Sequence, residues 1–245
     1  MSAPAVVGTP GPLAGTGRLA RLVVRRDRVL LGLWLVGMSA LPTGLAAGAT
    51  AGYPTQPERD AFAAAALANP AELAVRGPVF AATPGGLTAW TFASSGLILS
   101  GVISILMIVR HTRVDEDRGR RELVGATAVG RLAPAAAAVL VVAAANLAAA
   151  ALAAVGLVAV GLPASGSIAL GLVTSLGGIA FGSVALLTAQ LAGDAGGARG
   201  LAFALVAVWF ALSAIGEVAD SWLVWTSPFG WARRVQAFAG DQWPV

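Results

Sequence analysis

Polar and charged positions along this chain fall into clumps separated by long apolar stretches, and the spacing of the clumps predicts the architecture. Five apolar runs stand out: Val29 to Ala49, Gly86 to Val109, Leu132 to Val160, Gly166 to Ala192, and Leu201 to Gly216 with a short extension to about residue 218. A helix rises 1.5 Å per residue, so about 20 apolar residues cross a hydrocarbon core roughly 30 Å thick. All but the last run are comfortably long enough, and the last is borderline. Strands of a membrane barrel alternate over about ten residues, and these uninterrupted runs do not suit one. The expectation is an all-α integral membrane protein with five transmembrane helices.

The clumps between the runs carry the rest of the pattern. Residues 1–17 are rich in Gly, Pro and Ala and predict a disordered tail. Residues 18–28 place Arg18, Arg21, Arg25 and Arg28 against Leu19, Leu22 and Val23, the pattern of an amphipathic helix lying on a leaflet ahead of the first span. A plain positive flank is the simpler reading of the same residues. The pair Arg25-Arg26 with the small residues Ala46 to Ala49 also suits a cleaved export signal, but four more spans follow and the membrane assignment does not depend on it. The Tyr53 to Pro84 link holds one helical candidate, Gln56 to Ala68, with Glu58 and Asp60 in its first turn. After the fifth run, residues 219–245 contain Trp222, Trp225, Trp231 and Trp243, which predict a segment at the outer membrane interface with a short helix over Trp231 to Phe238.

Arg110 to Arg131 is the only long, densely charged segment between spans. Glu116 and Arg120, and Asp117 and Arg121, are spaced i,i+4 with the acid first, which favours a short surface helix. A solvated tether between two spans would have the same composition. Charge also sets orientation. Five Arg of the N-terminal flank, six of the Arg110 to Arg131 loop, and Arg199 in the short Gly193 to Gly200 loop share one side, leaving Arg59, Arg76, Arg233 and Arg234 for the other. By the positive-inside rule the N-terminus and the Arg110 loop are cytoplasmic.

Composition closes off several function classes. There is no Cys for a disulfide or thiolate metal site, and all 16 basic residues are Arg, so no Walker-type G-x-x-x-x-G-K-[ST] loop exists. The Arg residues are distributed as topology signals, which gives no basic face for nucleic acid. The five runs hold no ionisable group near a bilayer centre, where an ion-coupled carrier keeps its coupling residue. An intramembrane protease lacks its base, the single His being His111 at a loop edge. Asn146, midway along the third run, and Gln190, near the inner end of the fourth, are the polar exceptions. Each could line a substrate path or hydrogen-bond a neighbouring helix. Gly178 and Gly182 form a G-x-x-x-G pair and Gly96 with Ser100 a looser one, which permits close helix packing and says nothing of substrate.

These parts together resemble the permease subunits of ABC-2 type exporters, in particular the bacterial polyketide-antibiotic and multidrug group. Residues Thr112 to Ala126, TRVDEDRGRRELVGA, are similar to that group's T-R-x-x-E-x-x-G-R-x-E-L-x-x-A loop. Val129-Gly130-Arg131 and Ser227 to Trp231 resemble its V-G-R and S-P-x-G-W segments. The resemblance implies a six-helix bundle of which five helices are present, and a loop 110–131 that acts as a coupling helix in a groove of a separate ATP-binding subunit, present twice in the assembly. On that reading Arg113, Glu116, Arg120 and Glu122 make the polar coupling contacts, Gly119 allows close approach, and Leu123 is a buried anchor. ATP and Mg would sit on the partner and no cofactor on this chain. The group carries two six-span halves, so the resemblance further implies a second half, from a longer chain or another one, in a bacterial plasma (inner) membrane. The rival reading is a non-transporting anchor that recruits a cytoplasmic partner through the same loop.

Overall fold

The computed structural model describes residues 11–114 and 129–240. Ten elements of α or 3-10 helix and one π-helical turn make up these residues, with no strand among them. Five helices are long and apolar enough to span a membrane: α2 (Arg28–Gly52), α5 (Pro84–Val109, running on to Val114), α6 (Ala133–Ala159), α7 (Ala164–Leu191) and α8 (Ala195–Val218). Short helices complete the chain: α1 (Thr16–Arg26), α3 (Gln56–Leu67), α4 (Pro70–Arg76), a 3-10 turn (Trp222–Thr226) and α9 (Pro228–Arg234).

Helix α5 is the axis of the bundle. Its best membrane-length window is 67% buried, against 22% for α2 and 17% for α8, which leaves those two on the outside with wide apolar faces. Centrality follows from composition: Gly96, Gly101 and the serines 94, 100 and 104 give α5 a narrow side on which α7 packs. An added Cβ on Gly101 would collide with the Phe181 ring, so the glycine is what admits that large side chain. Phe181 is fully buried, stacks with Trp209 and packs at a tilt against Phe229, tying α5, α7, α8 and α9 into one apolar core.

Several boundaries differ from the sequence reading, each for a local reason. The tail expected to be disordered takes a turn over residues 11–15, held by backbone hydrogen bonds from Gly130 N to Ala14 O (2.9 Å) and Leu132 N to Pro12 O (3.0 Å). Helix α8 starts at Ala195 rather than 201, because Asp194 caps it by accepting from Gly197 N at 2.8 Å. The loop that was to carry Arg199 is therefore mostly helix. Helix α3 starts where Glu58 and Thr55 form a capping box, and α4, not read from the sequence, starts at the Asn69 cap.

The largest difference is at the outer end. Residues 219–240 do not simply lie along an interface: Val224, Ser227 and Phe229 are 1% or less exposed, and the helix there is Pro228–Arg234 rather than Trp231 to Phe238. The tryptophans point the other way, Trp222, Trp225 and Trp231 being 72%, 53% and 48% exposed. The segment turns back on itself and dips its aliphatic and phenyl side chains into the bundle, keeping its indoles outside. Gly230 makes this turn possible, since a Cβ there would strike the Val224 carbonyl.

Candidate functional site

At the end of the bundle that carries α1, the connections converge on the last turn of α5. There Arg110–Val114 forms a π-helical turn, a wider winding that recurs at functional sites. Two successive side chains of this turn, Arg110 and His111, reach the same carboxylate, that of Asp27 at the α1–α2 junction. Arg110 Nη1 lies 3.1 Å from Asp27 Oδ1, and His111 Nε2 is hydrogen-bonded to Oδ2. The Asp27 side chain is 1% exposed and that of His111 4%, so the pair is sealed while Arg110 stays 41% exposed. A buried carboxylate is costly unless paired, and here a cation and an imidazole share that role. Thr112 closes the turn by donating to the Ile108 carbonyl at 2.7 Å.

Two residues further on, Arg113 Nη2 donates to the Gly193 carbonyl at 2.7 Å, which joins the end of α5 to the α7–α8 connection. Asp194, next to that carbonyl, has its carboxyl held below the ordinary range, first by the backbone N–H groups of Gly197 and Gly196 and also by Arg113 and Arg199. The strap of residues 11–15 against 130–132 lies at the same end. Residues 110–114 and 129–132, the two feet of the charged loop, are thus fastened to α1, α2 and the α7–α8 connection. Of the residues expected to couple to a partner, Arg113 sits in this junction. Glu116, Gly119, Arg120, Glu122 and Leu123 lie outside the described residues.

Asn146 and Gln190 are not brought together. Asn146 is 2% exposed, and its Nδ2 donates to Ser104 Oγ (3.0 Å) and the Val142 carbonyl (2.9 Å). Ser100 Oγ lies 2.9 Å from both Asn146 Oδ1 and the Thr174 carbonyl, one of which takes its proton. The group sits where α5, α6 and α7 meet. Gly178 faces it so closely that a Cβ would overlap Ser100 Oγ and Asn146 Oδ1. Asn146 therefore donates to Ser104 across the helix interface and has the Ser100 hydroxyl within hydrogen-bond distance of its oxygen, as a helix-to-helix link does. Gln190 is exposed on the side of α7.

At the opposite end a second buried ion cluster was missed in the sequence, where Arg233 and Arg234 count only as outer positive charges. Arg233 is 5% exposed and donates to Ser94 Oγ (3.2 Å), Ser213 Oγ (3.2 Å) and the Val75 carbonyl (2.7 Å). Its Nη1 is also 3.5 Å from Glu217 Oε1, while Arg234 Nη2 donates to Glu217 Oε2 at 3.3 Å. One guanidinium fork thereby holds α4, α5, α8 and α9 together. Beside it Trp90 donates from Nε1 to the Gly77 carbonyl at 2.8 Å, and Arg76 stacks 4.8 Å above the Trp90 ring. The only warning available in the sequence was Glu217, an acid at the end of an apolar run.

No group of three or more His, Cys, Asp or Glu side chains able to hold a metal occurs among the described residues. No family model matches the chain. Over 232 residues, 94% of its length, it is 41% identical to a multidrug efflux system permease protein of Mycobacterium tuberculosis. The chain spans 42% of that relative's length. The chain is thus a multi-pass, all-helical membrane protein related to a bacterial multidrug efflux permease, in agreement with the resemblance of its loop and outer motifs to ABC-2 type exporter permeases.

Proposed function

We propose that this chain forms part of the membrane-spanning permease of an ATP-driven exporter that moves hydrophobic or amphipathic, drug-like molecules outward across a bacterial inner membrane. ATP and Mg bind to a separate subunit, two copies of which dock on the charged loops of the assembly, and a second permease half completes the pathway. The chain performs no chemistry of its own; its role is mechanical. The observation that carries this reading is the fastening of the loop's feet. Residues 110–114, at one foot of the loop, are fastened to the start of α2 through Asp27 and to the α7–α8 connection through Arg113 and Gly193, so a push delivered to that foot is passed on to three of the long helices. A tether that only recruits a partner has no need of such connections.

The test is co-expression with the cognate ATP-binding subunit, comparing the native loop with Glu116→Arg, Arg120→Glu and Glu122→Arg together. The variant is expected to insert normally, lose the ATPase on purification, and lose ATP-dependent efflux of an amphipathic dye. Retention of the ATPase by the variant sinks the coupling assignment. Normal ATPase capture by the native chain with no efflux from the assembled transporter supports the anchor reading instead.

A further inference from the structure

Beside the junction, α1, α2 and α6 enclose an open groove of about 780 Å³, inside the range of roughly 300–1,000 Å³ typical of sites for small molecules. Its walls are apolar: Val24 from α1, Leu31 and Leu35 from α2, Leu140 and Val141 from α6. Its depth comes from small residues, Gly32 and Ala144, where larger side chains would fill it. Along one edge stand Arg21 and Arg25, one turn apart on α1, and Arg28, the first residue of α2. All three are exposed, and among the described residues no acidic one lines the groove. The acid nearest in sequence, Asp27, is turned into the bundle toward Arg110 and His111, so it does not neutralise this edge.

The groove is also built in advance of any occupant. Helix α1 is held at its start by the Ala14 and Pro12 hydrogen bonds to Gly130 and Leu132, and at its end by Asp27. The spans α2 and α6 also carry Leu33 and Leu147, which are 68% and 48% exposed.

We infer that this groove is a binding site for an anionic phospholipid of the cytoplasmic leaflet, with acyl chain along α2 and α6 and phosphate against Arg21, Arg25 and Arg28. The charge pattern selects this occupant. Guanidinium groups pair with phosphate oxygens through paired donors, and the cytoplasmic leaflet is the anionic one. An apolar trough directly beneath the arginines suits a molecule with a tail better than a free anion. The inference rests on the cytoplasmic placement of α1 and is independent of the transport reading, so either can fail alone.

The experiment uses the full chain in mixed micelles with phosphatidylglycerol or phosphatidylcholine of identical acyl chains, read by native mass spectrometry. Phosphatidylglycerol is expected to be retained at least tenfold better. Arg21→Gln, Arg25→Gln and Arg28→Gln together should remove that preference, and Ala144→Leu should reduce retention of both lipids. Because the three arginines also help orient the chain, a second measurement leaves them intact. The protein has no cysteine, so Ala144→Cys gives a unique position for a photoreactive label. Irradiation in phosphatidylglycerol vesicles should yield a lipid adduct, several-fold more than in phosphatidylcholine vesicles. Equal adducts in the two lipids overturn the proposal, as does cross-linking to a second copy of the chain. Displacement of phosphatidylglycerol by millimolar inorganic phosphate would likewise overturn it, as the mark of a free-anion site.

Discussion

The two ends of the bundle each bury an ionised cluster, and they are built differently. At the inner end, Asp27 is the buried centre and its partners come from the last turn of one helix, with Arg110 reaching out to solvent. At the outer end the buried centre is a cation, Arg233, whose acceptors are spread over side chains and backbone of three other elements. A carboxylate gripped by two successive residues joins two helix ends and little else. A guanidinium fork with acceptors on α4, α5 and α8 locks a whole layer. The inner cluster is thus a joint and the outer cluster a clamp, which, on the transport function proposed above, suits an end that receives a push and an end that must seal.

This contrast can be broken at the clamp first. Arg233→Met should leave Glu217 buried with Arg234 as its remaining cation and strip Ser94, Ser213 and Val75 of their donor. A cost on the order of 3–5 kcal/mol is expected, read as a large fall in the unfolding midpoint in detergent. Arg233→Lys should recover only part of it, since an ammonium cannot serve the same spread of acceptors. Full recovery by Lys would mean that charge alone matters and that the fork geometry is incidental.

At the joint the expected loss is smaller. Asp27→Asn keeps the size of the side chain and removes the charge that Arg110 and His111 share. About 1.5–3 kcal/mol is expected for hydrogen bonds to a charged group. Its sharper consequence should be functional: ATPase docking retained, efflux reduced. If Asp27→Asn destabilises as much as Arg233→Met, the distinction between joint and clamp does not hold.

The smallest effect is expected at the Asp194 cap. Its folded pKa is depressed by the Gly196 and Gly197 N–H groups, so its contribution is present above the ordinary carboxylate value and is lost as pH falls through the folded one. Amide exchange at Gly196 and Gly197, compared with the middle of α8, should lose relative protection only below about pH 4. Asp194→Ala should show that weak protection at neutral pH. The other α8 amides should be unaffected in both cases, because the cap acts on one turn.

The five spans were legible because length and apolarity decide them and little competes with either. What escaped was pairing. Asp27 stands among five arginines, and in a sequence that context reads as a neutralised member of a positive flank. Only the fold shows its carboxylate held by Arg110 and His111, which are remote in sequence. Arg233 and Arg234 escaped for the same reason, being counted as signals of sidedness when they are internal partners of Glu217. The tryptophans of the outer segment were visible and their exposure agrees with an interfacial position. The burial of Val224 and Phe229 between them was not, because a two-sided segment only four or five residues long has no period to detect. Asn146 could be read either as a path residue or as a link, and Ser100, Ser104 and Gly178 decide its contacts.

The strap between residues 11–15 and 130–132 has a consequence in time. As the chain leaves the ribosome, α1 emerges before its anchors: Arg110 and His111, the partners of Asp27, follow at the end of the second span, and Gly130 and Leu132 only just ahead of the third. Through that interval, on the lipid binding inferred above, the arginines of α1 hold to the anionic membrane surface. The same residues therefore serve twice, first to retain the N-terminus on its side during synthesis and later as one wall of the finished bundle. A long fusion placed directly ahead of Pro12 should leave the first task intact and slow the second.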